Sequence, residues 1–462
     1  TMVTEEDMII IKVLGSYTSA AFSSFLTGTM VLLLAFFLAG AYLTHPPLMS
    51  VPLIRQEFYI FLSFLVFYFI LSLIVSRFFD PQIFPVSVFL PGAMVSMMAA
   101  ILISPQAGVM ITMLYSLGYL IQHGMDAPGF LFTFLTGITG TISVINAEKR
   151  GNLIRSSFLS ALSGGLILLS LGLLGKETPR TLFSFLGMGL LNGLACGILN
   201  LGVLPFIEHI LNSATAFRLR ELSDLNTPLF KRMLVLAPGT YSHSIAVANL
   251  AESAAREIGA NGLIARVGAY YHDIGKIEQA EYFAENQTAG NKHDELKSTL
   301  SIAVIKSHVK LGIEKAKDLG LPQAIIDIVA QHHGSGLISY FYIQALKEQE
   351  GSSKIKKEDY SYNGQPPLTR EAAIVMLADS VEAASRTLEK PNVAKLEKFV
   401  WEIIMSRINE GQMRRCDLTF KDMESIKKTF VQILAGYFHT RIEYPDEKEA
   451  LKIIANGKAR LK

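Results

Sequence analysis

The sequence predicts an all-α protein in two parts: a polytopic helical membrane bundle of about seven spans, then a soluble helical domain. Three observations carry that expectation. Residues 1–205 hold only eight Lys/Arg and eight Asp/Glu, whereas the rest of the 462-residue chain holds the other 34 basic and 32 acidic side chains. The first part contains uncharged apolar stretches long enough to cross a bilayer as helices. In the second part apolar residues recur at helical spacing, and alternating β-branched runs are scarce.

Taken in order, residues 1–20 carry Glu5, Glu6 and Asp7, the wrong charge for the n-region of a signal peptide. They read as the tail of a missing extracytoplasmic domain. Spans are expected at 21–43, 58–76, 83–104, 107–122, 129–146, 157–175 and 182–207, a transmembrane domain over 21–207. The third holds Pro91-Gly92 and the fourth is short and holds Gly118, so both read as kinked or partly re-entrant. With a cytoplasmic C-terminus, the inner loops hold Arg55, Lys149, Arg150 and Arg155, followed by Arg218 and Arg220. The outer loops hold Arg77, Lys176 and Arg180. The bias is modest but points to a multi-pass cell-membrane protein with its soluble domain inside. Almost no ionisable residue lies within a span, which argues for an anchor or sensor and against an ion carrier.

A linker helix is expected over 208–230, where Leu211, Ala214, Leu219, Leu222 and Leu225 recur at helical spacing. Its apolar stripe would pair with a second copy, as a homodimer, or pack on the soluble core. The soluble domain, 231–462, then runs through helices opening at Tyr241-Ser242-His243 and continuing over 261–275, 297–319, 322–333, 337–350, 367–389, 392–409 and 420–440. Net charge is only +2, with no strongly basic domain, so long nucleic acid is not an expected partner. The two cysteines, Cys196 and Cys416, form no CxxC pair, which fits a reducing compartment.

Chemistry concentrates in Tyr271-His272-Asp273-Ile274-Gly275-Lys276 and the histidines around it. Adjacent residues on a helix point about 100° apart, so His272 and Asp273 are able to serve one metal together, or Asp273 to bridge two. His243 and Asp379 complete a first site; His308, His332 and His333 supply a second that shares Asp273. Seven imidazole and carboxylate ligands suit two divalent metals, and water acidified by such a pair is a competent nucleophile at phosphorus. Asp273 is the expected catalytic bridge. Lys276, one turn further on, reaches either a substrate phosphate or an ion-pair partner. Arg386, two turns beyond Asp379, has the same two readings, and Tyr241 is a candidate for the pocket wall. His293, after Gly290, reads as structural or rim, and His45, His209 and His439 as surface or packing histidines.

These residues resemble the seven-transmembrane HD-domain family, the PgpH-like cyclic di-AMP phosphodiesterases. The resemblance rests on Ala237-Pro238-Gly239-Thr240-Tyr241-Ser242-His243-Ser244, the segment around His272-Asp273, Glu285-Asn286-Gln287 and His308-Val309. It continues through Gln331-His332-His333-Gly334, the stretch from Leu377 to Arg386, and Tyr444-Pro445. It implies a cytoplasmic HD phosphodiesterase domain that hydrolyses cyclic di-AMP to linear pApA at two metals, usually iron or manganese. The carried-over ligands are His243, His272, Asp273, His308, His332, His333 and Asp379. Lys292 stands where a proline is expected before His293. Gly334-Ser335-Gly336-Leu337 follows the paired histidines with no Gly-Tyr-Pro signature, which argues against the cyclic di-GMP subclass.

Two other functions remain open to the sequence. A phosphohydrolase of (p)ppGpp or another nucleotide needs one metal, held by His243, His272-Asp273 and Asp379, and metal stoichiometry separates it from a two-metal diesterase. A membrane receptor that binds a nucleotide without cleaving it is the other, though such sites are expected to have lost ligands.

Overall fold

The computed structural model describes residues 40, 55–79, 85–287, 290–347, 355–388 and 391–439. The chain divides into two compact units, Thr1–Arg220 and Glu221–Lys462. Helices make up both, and the described residues include no strand, only an isolated bridge between Leu337 and Ser361.

The first unit contains α1 (Arg55–Phe78), α2 (Gly92–Leu102), α3 (Pro105–Gln122), α4 (Ala127–Val144), α5 (Gly151–Leu174) and α6 (Pro179–Ile210). Its helix starts are written in the sequence. Ser104, Asp126 and Thr178 each accept a bond from a backbone N–H of the first turn, and each precedes a proline at N1 or N2. Four helices are long and apolar enough to cross a bilayer among the described residues, α1 from Glu57 onward, α4, α5 and α6. They coincide with the second, fifth, sixth and seventh expected spans; the first, 21–43, lies outside the described residues apart from Gly40.

The third expected span is not one helix, so the count of seven does not follow from these elements. Pro85 and Pro91 frame a 3-10 turn, Val86–Phe89, and leave only the 11 residues of α2, about 16 Å against a hydrocarbon core of about 30 Å. Irregular backbone in an apolar setting needs partners. Asn192 on α6 supplies them, donating to Val88 O at 2.7 Å and Leu90 O at 3.0 Å. The fourth, α3, is long enough but carries hydroxyls inward: Thr112 and Tyr115 bond Ser96 Oγ at 2.6 and 2.8 Å.

Small residues set the seam between α5 and α6. A Cβ on Gly193 would lie 2.2 Å from Ala161 N, and one on Gly189 would lie 2.3 Å from Gly164 O. Where lipid removes most of the hydrophobic drive, such close backbone approach is what holds helices together.

The linker is not the single helix expected over 208–230. α6 ends at Ile210, α7 spans Ala216–Leu222 and α8 spans Pro228–Leu236. Asn212 has φ +50, Thr215 bonds Glu208, and the Asp224 side chain accepts from Asn226 N in an Asx turn before Pro228. These local bonds outcompete the helical ladder, and the continuous stripe proposed for self-pairing is broken.

The second unit continues with α9 (Pro238–Glu257), α10 (Gly262–Tyr271), α11 (Ser298–Asp318), α12 (Gln323–Gln331), α13 (Ser339–Lys347), α14 (Arg370–Ser385), α15 (Val393–Asn409) and α16 (Phe420–His439). α14 is its axis. From Ala372 to Val381 every residue but Ser380 is buried, so the middle of this helix has no solvent face. α9 and α10 pack on it, and α12 closes against α10 and α11.

Candidate metal centre

Several of the functional side chains sit where the backbone changes character. Ala237 breaks α8 from α9 (φ −139, ψ 60), and Pro238 opens α9. At the start of α9 the backbone N–H groups of Gly239 and Thr240 donate to Asn286 Oδ1 at 2.9 and 3.1 Å, which seats His243 in the second turn. His272 closes α10, and Asp273 (φ −109, ψ 17) leads into a 3-10 segment, Ile274–Tyr282. That tightening turns both residues toward one point. Gly275 lets α11 come close: a Cβ there would lie 1.9 Å from His308 O and 2.6 Å from Gly312 N. His332 closes α12, and Gly334 follows at φ +52, a conformation that suits glycine. Asp379 projects from the middle of α14.

The two oxygens of Asp273 face different histidines. Oδ2 lies 3.1 Å from His272 Nε2 and 3.7 Å from His243 Nε2. Oδ1 lies 3.4 Å from His308 Nε2 and 3.6 Å from His332 Nε2. Two ligand groups result, Asp273 with His243 and His272, and Asp273 with His308, His332 and His333. Asp379 stands beside both: Oδ1 is 3.0 Å from His243 Nε2, and Oδ2 is 3.6 Å from His333 Nδ1.

Backbone carbonyls fix the ring orientations. Nδ1 of His272, His308 and His332 each donates to the carbonyl three residues earlier, Ala269, Ile305 and Val329, at 2.7, 2.5 and 2.8 Å. Each Nε2 is thereby left as the lone-pair nitrogen. His308 Nε2 and His332 Nε2 face each other at 3.3 Å, and two lone pairs at that distance call for a cation. His272 Nε2 and Asp273 Oδ1 are buried with no hydrogen-bond partner. Nitrogen and oxygen donors with orphaned, converging lone pairs fit a divalent metal.

The titration states agree for most of the set, since ligands must be deprotonated. Burial pushes His308 down to about 3 and His333 well below the usual histidine range. Burial acts to raise Asp273, but His272 and the Lys276 ammonium beside it outweigh that and hold the carboxyl well below its ordinary value. Asp379 is likewise depressed against its burial, chiefly by the bond to His243. His243 goes the other way: burial opposes its charge, but Asp379 and Glu382 push it up to about 10.

The remaining predicted residues fall in different places. Lys276 is buried in an ion pair, its Nζ 2.7 Å from Asp273 Oδ2 and 3.0 Å from Glu285 Oε1. Arg386 grips Glu382, with Nη2 at 2.8 Å and Nε at 3.1 and 3.2 Å. Both line a cavity of about 910 Å³ together with His243, His308, His333 and Asp379. Tyr241 is not among its lining residues. His293 is a buried residue of the cavity wall, its Nε2 donating to Tyr282 O at 2.7 Å.

Two residues escaped the sequence reading. Glu382 bonds His243 Nδ1, and its signal was the three-residue step from Asp379 along one helix face. Tyr362 stacks on His333, ring centroids 4.3 Å apart, from an irregular loop with no periodicity to announce it.

Helices that gather an HD dipeptide and its outlying histidines and aspartates define an HD-type metal centre. Residues 240–384 match the HD domain family, and residues 21–215 match the family described as a 7TM receptor with intracellular HD hydrolase. The cyclic-di-AMP phosphodiesterase PgpH of Listeria monocytogenes is 39% identical over 364 residues, 78% of this chain and 50% of that protein. PgpH of Bacillus subtilis is 39% identical over 325 residues, 70% of this chain and 45% of that protein. The crystal structure of the L. monocytogenes PgpH HD domain in complex with cyclic-di-AMP is 46% identical. It covers 47% of this chain and 100% of its own, with a TM-score of 0.44. The chain belongs to the seven-transmembrane HD family. It spans about half the length of the curated relatives it matches.

Proposed function

We propose that this chain is a membrane-bound, metal-dependent phosphodiesterase that hydrolyses cyclic di-AMP to linear pApA, with the HD unit in the cytoplasm. The observation that carries the reading is the division of the Asp273 carboxylate between two histidine groups. His243, His272, Asp273 and Asp379 would hold one ion, and Asp273, His308, His332 and His333 the other. We take iron or manganese as the native pair, as the family resemblance implies; imidazole and carboxylate donors without thiolate accept either ion. When bound, two such ions supply Lewis acidity toward a phosphodiester and acidify water.

The chain's own residues do the rest. Asp273 keeps the two ligand groups in register, and Lys276 holds Asp273 while placing a positive charge on the cavity wall. Lys276 and Arg386 are the candidates to meet substrate phosphate, since both line the cavity. Tyr241, outside that lining, would reach substrate only at the rim. A volume of about 910 Å³ suits a ligand larger than a mononucleotide. Support for cyclic di-AMP over other nucleotides comes from the names of the two PgpH relatives.

The test is hydrolysis of cyclic di-AMP, cyclic di-GMP and ppGpp by the full chain in detergent with Mn(II) or Fe(II), wild type beside Asp273→Ala. Conversion of cyclic di-AMP to pApA by wild type alone is expected. Preferred turnover of ppGpp with one metal per chain would move the reading to a nucleotide phosphohydrolase. Activity retained by Asp273→Ala would remove the bridge.

A further inference from the structure

Glu382 bonds the nitrogen of His243 that faces away from the ligand groups, and nothing in the chemistry described so far uses it. His243 is the exception among the α9, α10, α11 and α12 histidines. His272, His308 and His332 hand Nδ1 to a carbonyl of their own helix, whereas His243 Nδ1 donates to a carboxylate 139 residues away. Its Nε2 is then presented to Asp379 at 3.0 Å and to Asp273 at 3.7 Å. Glu382 is buried, and it is itself held: Arg386, one turn along α14, grips it through Nε and Nη2. Planar donors of that kind fix a carboxylate in orientation as well as in place.

Resting on the metal-centre reading above, we infer that Glu382 is a positioning residue. It fixes the ring of His243 so that Nε2 is the ligand atom, and Arg386 acts through it by clamping the carboxylate. Asp379 and Glu382 lie three residues apart on α14, so one helix face would supply both a ligand and the group that orients another ligand. This gives Arg386 a role besides the phosphate contact: its Nε edge is committed to Glu382, while the side chain also lines the cavity. Partners that orient a ligating histidine typically change metal affinity by about 10- to 100-fold when removed.

The experiment uses the full chain in detergent, stripped of metal and titrated with Mn(II). Calorimetry gives stoichiometry and affinity, and the metal-free melting midpoint is recorded for every variant. Wild type, Glu382→Ala, Glu382→Gln and Arg386→Met are compared. The expected result is about tenfold or greater weakening of one of two sites in Glu382→Ala. Glu382→Gln, which keeps an acceptor for Nδ1–H, should recover most of that loss. Arg386→Met should lie between, and metal-free midpoints should stay near wild type. Mn(II) affinity within threefold of wild type in Glu382→Ala would overturn the inference, as would Glu382→Gln binding as weakly as Glu382→Ala. Should Glu382→Ala not fold, Arg386→Met decides: Mn(II) affinity unchanged at both sites in that variant overturns the inference. A wild type that takes up no metal would sink the metal-centre reading itself, a result plainly different from two sites that ignore Glu382.

Discussion

His333 is held from two sides, by Asp379 at 3.6 Å and by the Tyr362 ring stacked at 4.3 Å. Unlike its neighbour His332, whose Nδ1 bonds the Val329 carbonyl, its ring is restrained by the Asp379 carboxylate and the Tyr362 stack. Aromatic contacts of this kind are worth about 0.5–1.5 kcal/mol. Tyr362→Ala should therefore lower turnover by up to about tenfold, whereas Tyr362→Phe, which keeps the ring, should stay within about twofold of wild type. A loss as large in Phe as in Ala would mean that the hydroxyl, not the stack, matters. The seven ligand candidates were legible because metal ligation restricts residue type, and the structure gathers the other six around Asp273. Glu382 and Tyr362 were harder to read. A carboxylate that orients a histidine looks in sequence like any surface acid, and a stacking ring in a loop has no repeat.

At the scale of elements, helix boundaries were legible wherever a cap or a proline wrote them. Asn261 accepts from Leu263 N and Ile264 N at 3.1 Å, Thr369 accepts from Ala372 N, and Asn392 accepts from Lys395 N. The expectations that missed were those read from apolar spacing alone. Residues 83–104 are uncharged throughout, and Pro91-Gly92 already reads as a kink; Pro85 and Pro91 go further and split the stretch, because proline removes a donor and blocks the preceding turn. The 208–230 stretch has helical spacing but is interrupted by side chains that bond their own backbone. Seams between helices were not legible either, since glycine reports little in sequence about which face it occupies. α6 provides its own internal control. A Cβ on Gly193 would meet Ala161 N at 2.2 Å, whereas a Cβ on Gly187 meets nothing within 4 Å. Gly193→Leu should destabilise the membrane unit by about 1–3 kcal/mol through forced separation of α5 and α6. Gly187→Leu should be nearly neutral. Comparable thermal midpoints for the two variants, measured in detergent, would mean that the α5–α6 seam is not close-packed.

For the whole molecule, the uneven charge anticipates two units that differ in what stabilises them. The first unit buries hydroxyls and small residues, and the second buries a cluster of carboxylates and imidazoles that a divalent ion would neutralise. An ion that binds only the folded state adds stability by mass action, about 2.7 kcal/mol at a hundredfold excess over its Kd. For a unit of this size that is a shift of roughly 5–10 °C in midpoint. The chain offers a clean probe, because its single tryptophan, Trp401, lies on α15 of the second unit with Lys427 Nζ 5.0 Å from its ring centre. Tryptophan emission thus follows the second unit alone, while far-ultraviolet circular dichroism follows helices of both. Chelation with EDTA should lower the emission-tracked midpoint by that amount and leave part of the helical signal melting where it did before. Readdition of Mn(II) should restore the lost degrees in wild type but not in Asp273→Ala, since that variant lacks the carboxylate that both ligand groups share. An emission midpoint indifferent to EDTA would mean that the buried carboxylates are balanced by the protein's own charges, Lys276 and His243 first among them.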